Sequence, residues 1–300
     1  MSAPTFNIAA VERDTGLSKD VLRVWERRYG FPNPERDANG ERCYPAEQVE
    51  RLRQIKRLMD QGHRPGKLLA LPDEELNQLA PRRATVHRRG PETLPADLAE
   101  LLSLLRQHDV TAYQQALQQR LIRQGLQSFV QDTVAPLAEQ VGTAWEEGRF
   151  EVFEEHLFTE LTKRLLRQAI ATLPTGRTPR LLLTTVPSEE HVLGLLMVEA
   201  LLALEGVECI PMGTQMPLLD IAKAAEAHTA DIVALSFSVA FPVRQVPGLL
   251  QQLRQSLPAG VELWAGGGGV ARVPPVEGVR LLADFGQAID ALAEWRAGHA

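Results

Sequence analysis

Beyond Arg180 the chain alternates short apolar, β-rich runs with segments of helical period, and this alternation restricts the C-terminal part to one architecture. Residues 181–186, 207–211, 232–237, 261–265 and 279–282 read as strands. Residues near 191–205, 218–228, 243–257 and 287–295 read as helices. Strands joined through helices cannot pair as hairpins, so they run parallel with both faces covered. Open parallel sheets bind ligands at the carboxyl ends of their strands, in the loops that lead into the next helix.

The loop after the first of these strands holds Glu189-x-His191-x-x-Gly194. A carboxylate two residues before a histidine can hold one ring nitrogen and leave the other free to meet a metal. A glycine three residues later lets a large planar ligand approach the backbone. Ser236-x-Ser238 closes the third strand and Gly266-Gly267-Gly268-Gly269 closes the fourth, both beside the His191 loop. A glycine run can instead cradle a dinucleotide phosphate. That fingerprint follows a first strand, however, and here the run follows the fourth.

Residues 96–175 read as four helices with short loops, a pattern that packs as a bundle. Leu98, Leu101, Leu102 and Leu105 stripe the first, and 113–126, 129–145 and 151–173 give the others. Val152, Phe153, His156, Leu157, Leu161, Leu165 and Ile170 fall on one apolar side of the fourth. Trp145 closes the third helix, and Glu155-His156 follow it after an x9 gap. A glutamate at the edge of an apolar stripe and a histidine within it are costly to bury, which marks both as site candidates.

Residues 1–72 differ in character. A short helix from Ile8 ends at Thr15-Gly16, and Ser18 is placed to cap a second helix that opens at Lys19 and carries Arg23, Arg27 and Arg28. Helix, glycine turn and basic helix is the layout of a helix-turn-helix. Asn39-Gly40 signals a hairpin turn that presents Arg36, Arg42 and Tyr44 as a wing. A third helix, 46–61, has Val49, Leu52, Ile55, Leu58 and Met59 on one face. Residues 73–95, with Pro81, Pro91, Pro95 and paired arginines, read as a flexible basic tether.

The 300 residues suit two or three domains. The net charge of −6 argues against a uniformly basic nucleic-acid binder, but Lys and Arg cluster in the first ninety residues. The two cysteines, Cys43 and Cys209, fit no metal-pair spacing, and no apolar run is long enough to span a membrane. The start lacks a secretory signal, so a cytoplasmic protein with reduced thiols is expected.

Residues 1–72 resemble the winged helix-turn-helix of the MerR family. The resemblance rests on Ile8-Ala9, Thr15-Gly16-Leu17, Leu22-Arg23-x-Trp25-Glu26-x-x-Tyr29-Gly30 and Arg42-x-Tyr44. It implies Lys19, Arg23, Arg27 and Arg28 at the major groove or phosphates of a double-stranded operator. It implies Arg36, Arg42 and Tyr44 on the flanking DNA backbone. The Glu189-x-His191-x-x-Gly194 loop resembles a cobalamin-binding signature, and Trp145-x9-Glu155-His156 resembles the bundle that caps the upper cobalamin face. In this order the three parts resemble the CarA/CarH/LitR-type regulators, light-sensing adenosylcobalamin-dependent repressors.

That resemblance implies a flavodoxin-like, Rossmann-like fold for residues 176–300. It implies His191 as the lower axial ligand of cobalt, Trp145 against the upper axial group and the Glu155-His156 pair lining the adenosyl pocket. Ser236, Ser238, Gly266, Gly267 and Gly268 would line the tunnel for the nucleotide tail. It implies a repressor rather than an enzyme, acting as a homo-oligomer, dimer or tetramer. One position departs from the pattern: light-sensing members carry a second cobalt-ligating histidine directly after the Trp, and here it is Glu146. A carboxylate is a harder, weaker ligand for this metal. Three readings stay open at this point: a light-gated repressor, a light-independent cobalamin or tetrapyrrole sensor, and a regulator whose relic cobalamin domain serves protein contacts.

Overall fold

The computed structural model describes residues 5–37, 40–60, 63–79, 95–174 and 177–299. They fall into two compact units, one within Met1–Pro91 and one within Glu92–Ala300.

The first unit begins with β1 (Thr5–Asn7), α1 (Ile8–Thr15) and α2 (Lys19–Tyr29). β2 (Glu35–Arg36), β3 (Arg42–Pro45), α3 (Ala46–Asp60), α4 (Pro65–Leu68) and α5 (Asp73–Leu79) follow. Asn7 accepts the Ala10 N–H at 2.8 Å and Ser18 accepts the Val21 N–H at 3.3 Å, so both helices of the helix-turn-helix start on side-chain caps. Gly16, at φ 69°, closes α1 in the left-handed conformation that glycine adopts without strain. β3 is the middle strand, antiparallel to β1 and β2, with Phe6 opposite Tyr44 and Glu35 opposite Cys43. The apolar face foreseen for α3 is buried: Val49, Leu52, Ile55 and Leu58 join Val11, Leu22 and Trp25 in one core. Residues 73–79, read from the sequence as the start of the tether, form α5 instead, because Leu76 enters that core. Asn39, Gly62 and the remainder of the tether lie outside the described residues.

The second unit opens with α6 (Ala96–Arg106) and α7 (Val110–Ser128), then a π-helical turn (Phe129–Val134). α8 (Ala135–Glu146) and α9 (Val152–Ala171) complete a helical bundle. The break foreseen between its second and third helices falls where Gly125 turns to φ 74° and the chain re-enters helix through the π turn. The sheet region then runs β4 (Arg177–Thr184), α10 (Leu193–Leu204), β5 (Val207–Pro211), α11 (Leu218–Ala227) and β6 (Ile232–Ser236). It ends with α12 (Val246–Ser256), β7 (Glu262–Gly266), β8 (Val279–Leu282) and α13 (Phe285–Gly298).

All pairings are parallel, in the order β5-β4-β6-β7-β8. The order reverses between β4 and β6, and such a switch point at the carboxyl edge is where open α/β sheets bind ligands. Helix α10, which follows the loop leaving β4, is apolar on every side apart from Glu199. Leu196, Met197, Ala200 and Leu201 enter the bundle core, while Leu195 and Leu202 pack on the sheet.

Candidate functional site

The loop from β4 to α10 is built around a fully buried carboxylate. Glu189 is 1% exposed and all of its acceptor capacity is used locally. Its Oε1 lies 2.6 Å from His191 Nδ1 and accepts the His191 backbone N–H at 3.0 Å. Its Oε2 accepts the Ser238 backbone N–H at 2.8 Å and the Ser238 hydroxyl at 2.9 Å. Burial works to raise the Glu189 carboxyl, but the hydrogen bonds from His191 and Ser238 outweigh it and hold the group below the usual carboxylate range. His191 is raised in turn, chiefly by its bond to Glu189 against the opposing effect of burial. With Nδ1 held by Glu189, Nε2 is the ring nitrogen left over, and the imidazole is 60% exposed. A histidine oriented through one nitrogen by a carboxylate is the usual preparation for a metal ligand. Among the described residues no group of three or more metal-ligating side chains occurs, so the loop offers a single imidazole ligand rather than a protein cage.

Two threonines at the end of the apolar strand run hold this loop, and sequence reasoning assigned them no role. Thr185 Oγ1 donates to the Glu189 carbonyl at 2.5 Å and accepts the Gln215 N–H at 2.8 Å. Thr184 Oγ1 donates to the Gly213 carbonyl at 3.0 Å. Hydroxyls fully buried at the carboxyl end of an otherwise aliphatic strand were the available signal.

The glycines allow close approaches within the loops themselves. A Cβ on Gly194 would sit 2.7 Å from Ser236 Oγ, so this glycine lets the start of α10 close on the end of β6. Its lack of a side chain serves this internal contact. A Cβ on Gly267 would meet the Phe237 carbonyl at 2.4 Å, and one on Gly268 would meet Val239 Cγ1 at 2.5 Å. Gly266 is less constrained, with the Leu282 carbonyl at 3.4 Å. The glycine run therefore packs its loop against Phe237–Val239, beside Ser236 and Ser238.

In the bundle, Trp145 packs against the core that also receives Val192 and Leu193 from the His191 loop and α10. Glu155 accepts the Thr159 hydroxyl at 2.8 Å, and its charge contributes to raising His191. The structure thus brings Glu155 of α9 within electrostatic reach of the loop. The expected apolar side of α9 is corrected in part: Leu157, Leu161, Leu165 and Ile170 do pack on the bundle core, whereas Phe153 and His156 do not. The face turned into the bundle is Glu154, Phe158, Leu161, Thr162 and Leu166, while Phe153 is 58% and His156 72% exposed. α9 carries apolar residues on two sides, and periodicity alone could not tell which one meets the other bundle helices. The buried carboxylate is Glu154, not its neighbours. Its Oε2 caps the helix through the Glu151 N–H at 2.8 Å, and its Oε1 lies 3.2 Å from His108 Nε2. Glu146 is exposed at the end of α8.

In the first unit, α2 turns Leu22 and Trp25 inward and Asp20, Arg23, Val24, Arg27 and Arg28 outward. Lys19 is paired with Glu12 at 3.4 Å, and Arg36 donates to the Gly40 carbonyl at 2.6 Å. Two wing residues are corrected. Tyr44 is wholly buried, with its hydroxyl lacking a hydrogen-bond partner, because it lies on the core face of the middle strand. Arg42 Nε donates to Glu26 Oε2 at 2.8 Å, which raises the guanidinium, so this arginine braces the wing against α2.

Three family descriptions match along the chain: MerR HTH family regulatory protein at residues 6–68, and B12 binding domains at 98–170 and 179–295. Over 272 residues the chain is 30% identical to the HTH-type transcriptional repressor CarH of Myxococcus xanthus, covering 89% of this chain and 90% of that protein. The chain belongs to the CarH family of MerR-type transcriptional repressors. Its likeness to CarA of the same organism, 29% identity over 238 residues, covers 78% of this chain and 76% of the relative. Among solved structures, the monomethylamine corrinoid protein of Methanosarcina barkeri matches with a TM-score of 0.54 at 15% identity, covering 66% of this chain and 98% of that one. This last likeness shows the fold of the bundle and sheet region. As a member of the CarH family the chain is a DNA-binding regulator with a cobalamin-binding domain, and not an enzyme. Among the described residues no helix is long and apolar enough to cross a membrane.

Proposed function

We propose that this CarH-family regulator holds adenosylcobalamin at the carboxyl edge of its sheet, with His191 Nε2 as the lower cobalt ligand, and that the bound form sets its association state and operator binding. The observation that carries the reading is the buried Glu189, which fixes His191 through Nδ1 and locks Ser238 in the same contact. Ser236, Ser238 and the Gly266–Gly268 loop lie beside it at the same carboxyl edge. The bound cofactor supplies a cobalt–carbon bond that light can break. The chain's own part is to orient the imidazole and to sense the upper group with Trp145, Glu155 and His156. A change there alters the packing of α8 and α9 on the core they share with α10. Several MerR heads on one assembly bind an operator by avidity, so an assembly that dissociates releases it.

A second reading is favoured by one position. Glu146 stands where light-sensing members place a second ligating histidine, and it is exposed. A protein that senses cobalamin without light keeps the His191 contacts and has no need of that histidine.

Size exclusion of the purified chain with adenosylcobalamin, in the dark and after green light, with an absorbance spectrum of each peak, tests both. A coloured larger species that shrinks on illumination supports the light-gated repressor. A coloured species indifferent to light supports the second reading, and a colourless one overturns both.

A further inference from the structure

The outward face of α2 contains one residue that neither the core nor phosphate binding explains. Val24 is 41% exposed. Its neighbours Leu22 and Trp25 are the residues that anchor the helix to the core, so Val24 is not needed there. It lies in the middle of a cationic face, next to Arg23 and one helical turn before Arg27 and Arg28. Arginines so placed reach phosphates and guanine edges, whereas a branched apolar side chain can do neither. A branched aliphatic side chain bordered by Arg23, Arg27 and Arg28, on the helix that a helix-turn-helix lays in the major groove, has one apolar partner available on base edges. That partner is the C5-methyl of thymine, which the minor groove does not display.

We propose that Val24 is a specificity-determining residue that packs on a thymine methyl in each operator half-site. Arg23, Arg27 and Arg28 position the helix around it. The inference rests on the DNA-binding reading of the first unit and adds to it the base that one side chain reads. Asp20, whose carboxylate lies 3.5 Å from Arg23, stands one turn before Val24 on the same face. Its charge disfavours a phosphate contact at that end of the stripe.

The test uses the full chain and begins with selection of its operator from randomised duplex DNA, with and without added adenosylcobalamin. Each thymine of the recovered half-site is then replaced by deoxyuridine, which lacks only the methyl. Affinities are measured for the wild type, Val24→Ala and Val24→Thr. At one thymine, uracil should weaken the wild type about fourfold per half-site, close to what burial of one methyl-sized group contributes. The same replacement should leave Val24→Ala unaffected, with Val24→Thr between them and equal salt dependence in all three. A uracil scan identical in wild type and Val24→Ala would overturn the inference, as would a Val24→Ala loss spread evenly over all sequences. Recovery of no operator would overturn the DNA-binding reading together with it.

Discussion

Glu189 and His191 form a closed pair: Oε1 to Nδ1 is 2.6 Å, and the other carboxylate oxygen is taken up by Ser238. The carboxylate therefore fixes the imidazole and ties the β4 loop to the β6 loop. Glu189→Gln keeps the shape and removes the charge. Corrinoid affinity should fall about tenfold to hundredfold, the usual effect of removing a partner that orients a metal ligand. Absorbance titration reads this directly, and a variant that binds like the wild type would show that the carboxylate does not tune His191.

Glu199 gives a pH dependence. It is buried on α10, its backbone carbonyl accepts from Cys209 Sγ at 3.9 Å, and Arg167 of α9 is the opposing charge. Burial pushes the Glu199 carboxyl above its usual value, and Arg167 only partly offsets this. Because the folded-state pKa is raised, the group's contribution favours folding fully below the ordinary value of 4.5 and is lost as pH rises through the higher folded value. Glu199→Gln should be neutral near pH 4 and stabilising by about 1 kcal/mol at pH 7, or about 2–4 °C in Tm. Melting curves at the two pH values decide it, and equal effects at both would refute it.

Gly194→Ala separates packing from helix propensity. On propensity alone, alanine near the start of α10 would stabilise. The contact at 2.7 Å between its Cβ and Ser236 Oγ predicts the opposite sign. A loss of about 1–3 kcal/mol is expected, most of it recovered when Ser236→Ala is added. Additive losses in the double variant would remove Ser236 as the cause.

Tyr44→Phe deletes a buried hydroxyl that has no hydrogen-bond partner. Stability should be unchanged or rise by up to about 1 kcal/mol, with DNA affinity intact. A loss of DNA binding in a stably folded variant would return Tyr44 to the interface.

Arg27 and Arg42 should behave differently although both lie in the first unit. Arg27 is exposed on α2, whereas Arg42 is held by Glu26 at 2.8 Å. Arg27→Ala should weaken DNA binding and lower the slope of log affinity against log salt by about one. Arg42→Ala should lower thermal stability by about 1 kcal/mol and leave that slope unchanged. Salt titrations of DNA affinity distinguish them.

The strands and their parallel direction were legible because short β-rich runs such as 181–183 and 232–235 alternate with segments of helical period, and strands joined through helices pack as a parallel sheet covered on both faces. The Glu189–His191 contact was legible because it is local, spanning two residues. What the sequence concealed depends on which neighbour arrives from a distance. The contact that Gly194 makes with Ser236 has no trace in the local motif, because Ser236 arrives from another strand. Tyr44 reads as a surface aromatic until β3 proves to be the middle strand. His156 stands beside Leu157 on the helix, and only the packing of α9 shows that the leucine meets the bundle core while the histidine is turned outward. Glu154, the carboxylate that is buried, gave no periodic signal, because its partners are a helix cap and His108 from the loop before α7.

Helix α10 has no face to spare. Leu196, Met197 and Leu201 close the bundle while Leu195 and Leu202 close the sheet, so one segment is a wall common to two rooms. Swinging the bundle off the sheet would bring at least those three bundle-facing side chains into water, on the order of 5 kcal/mol before any compensation. The bundle and the sheet therefore cannot part as separate bodies without first giving up this shared wall.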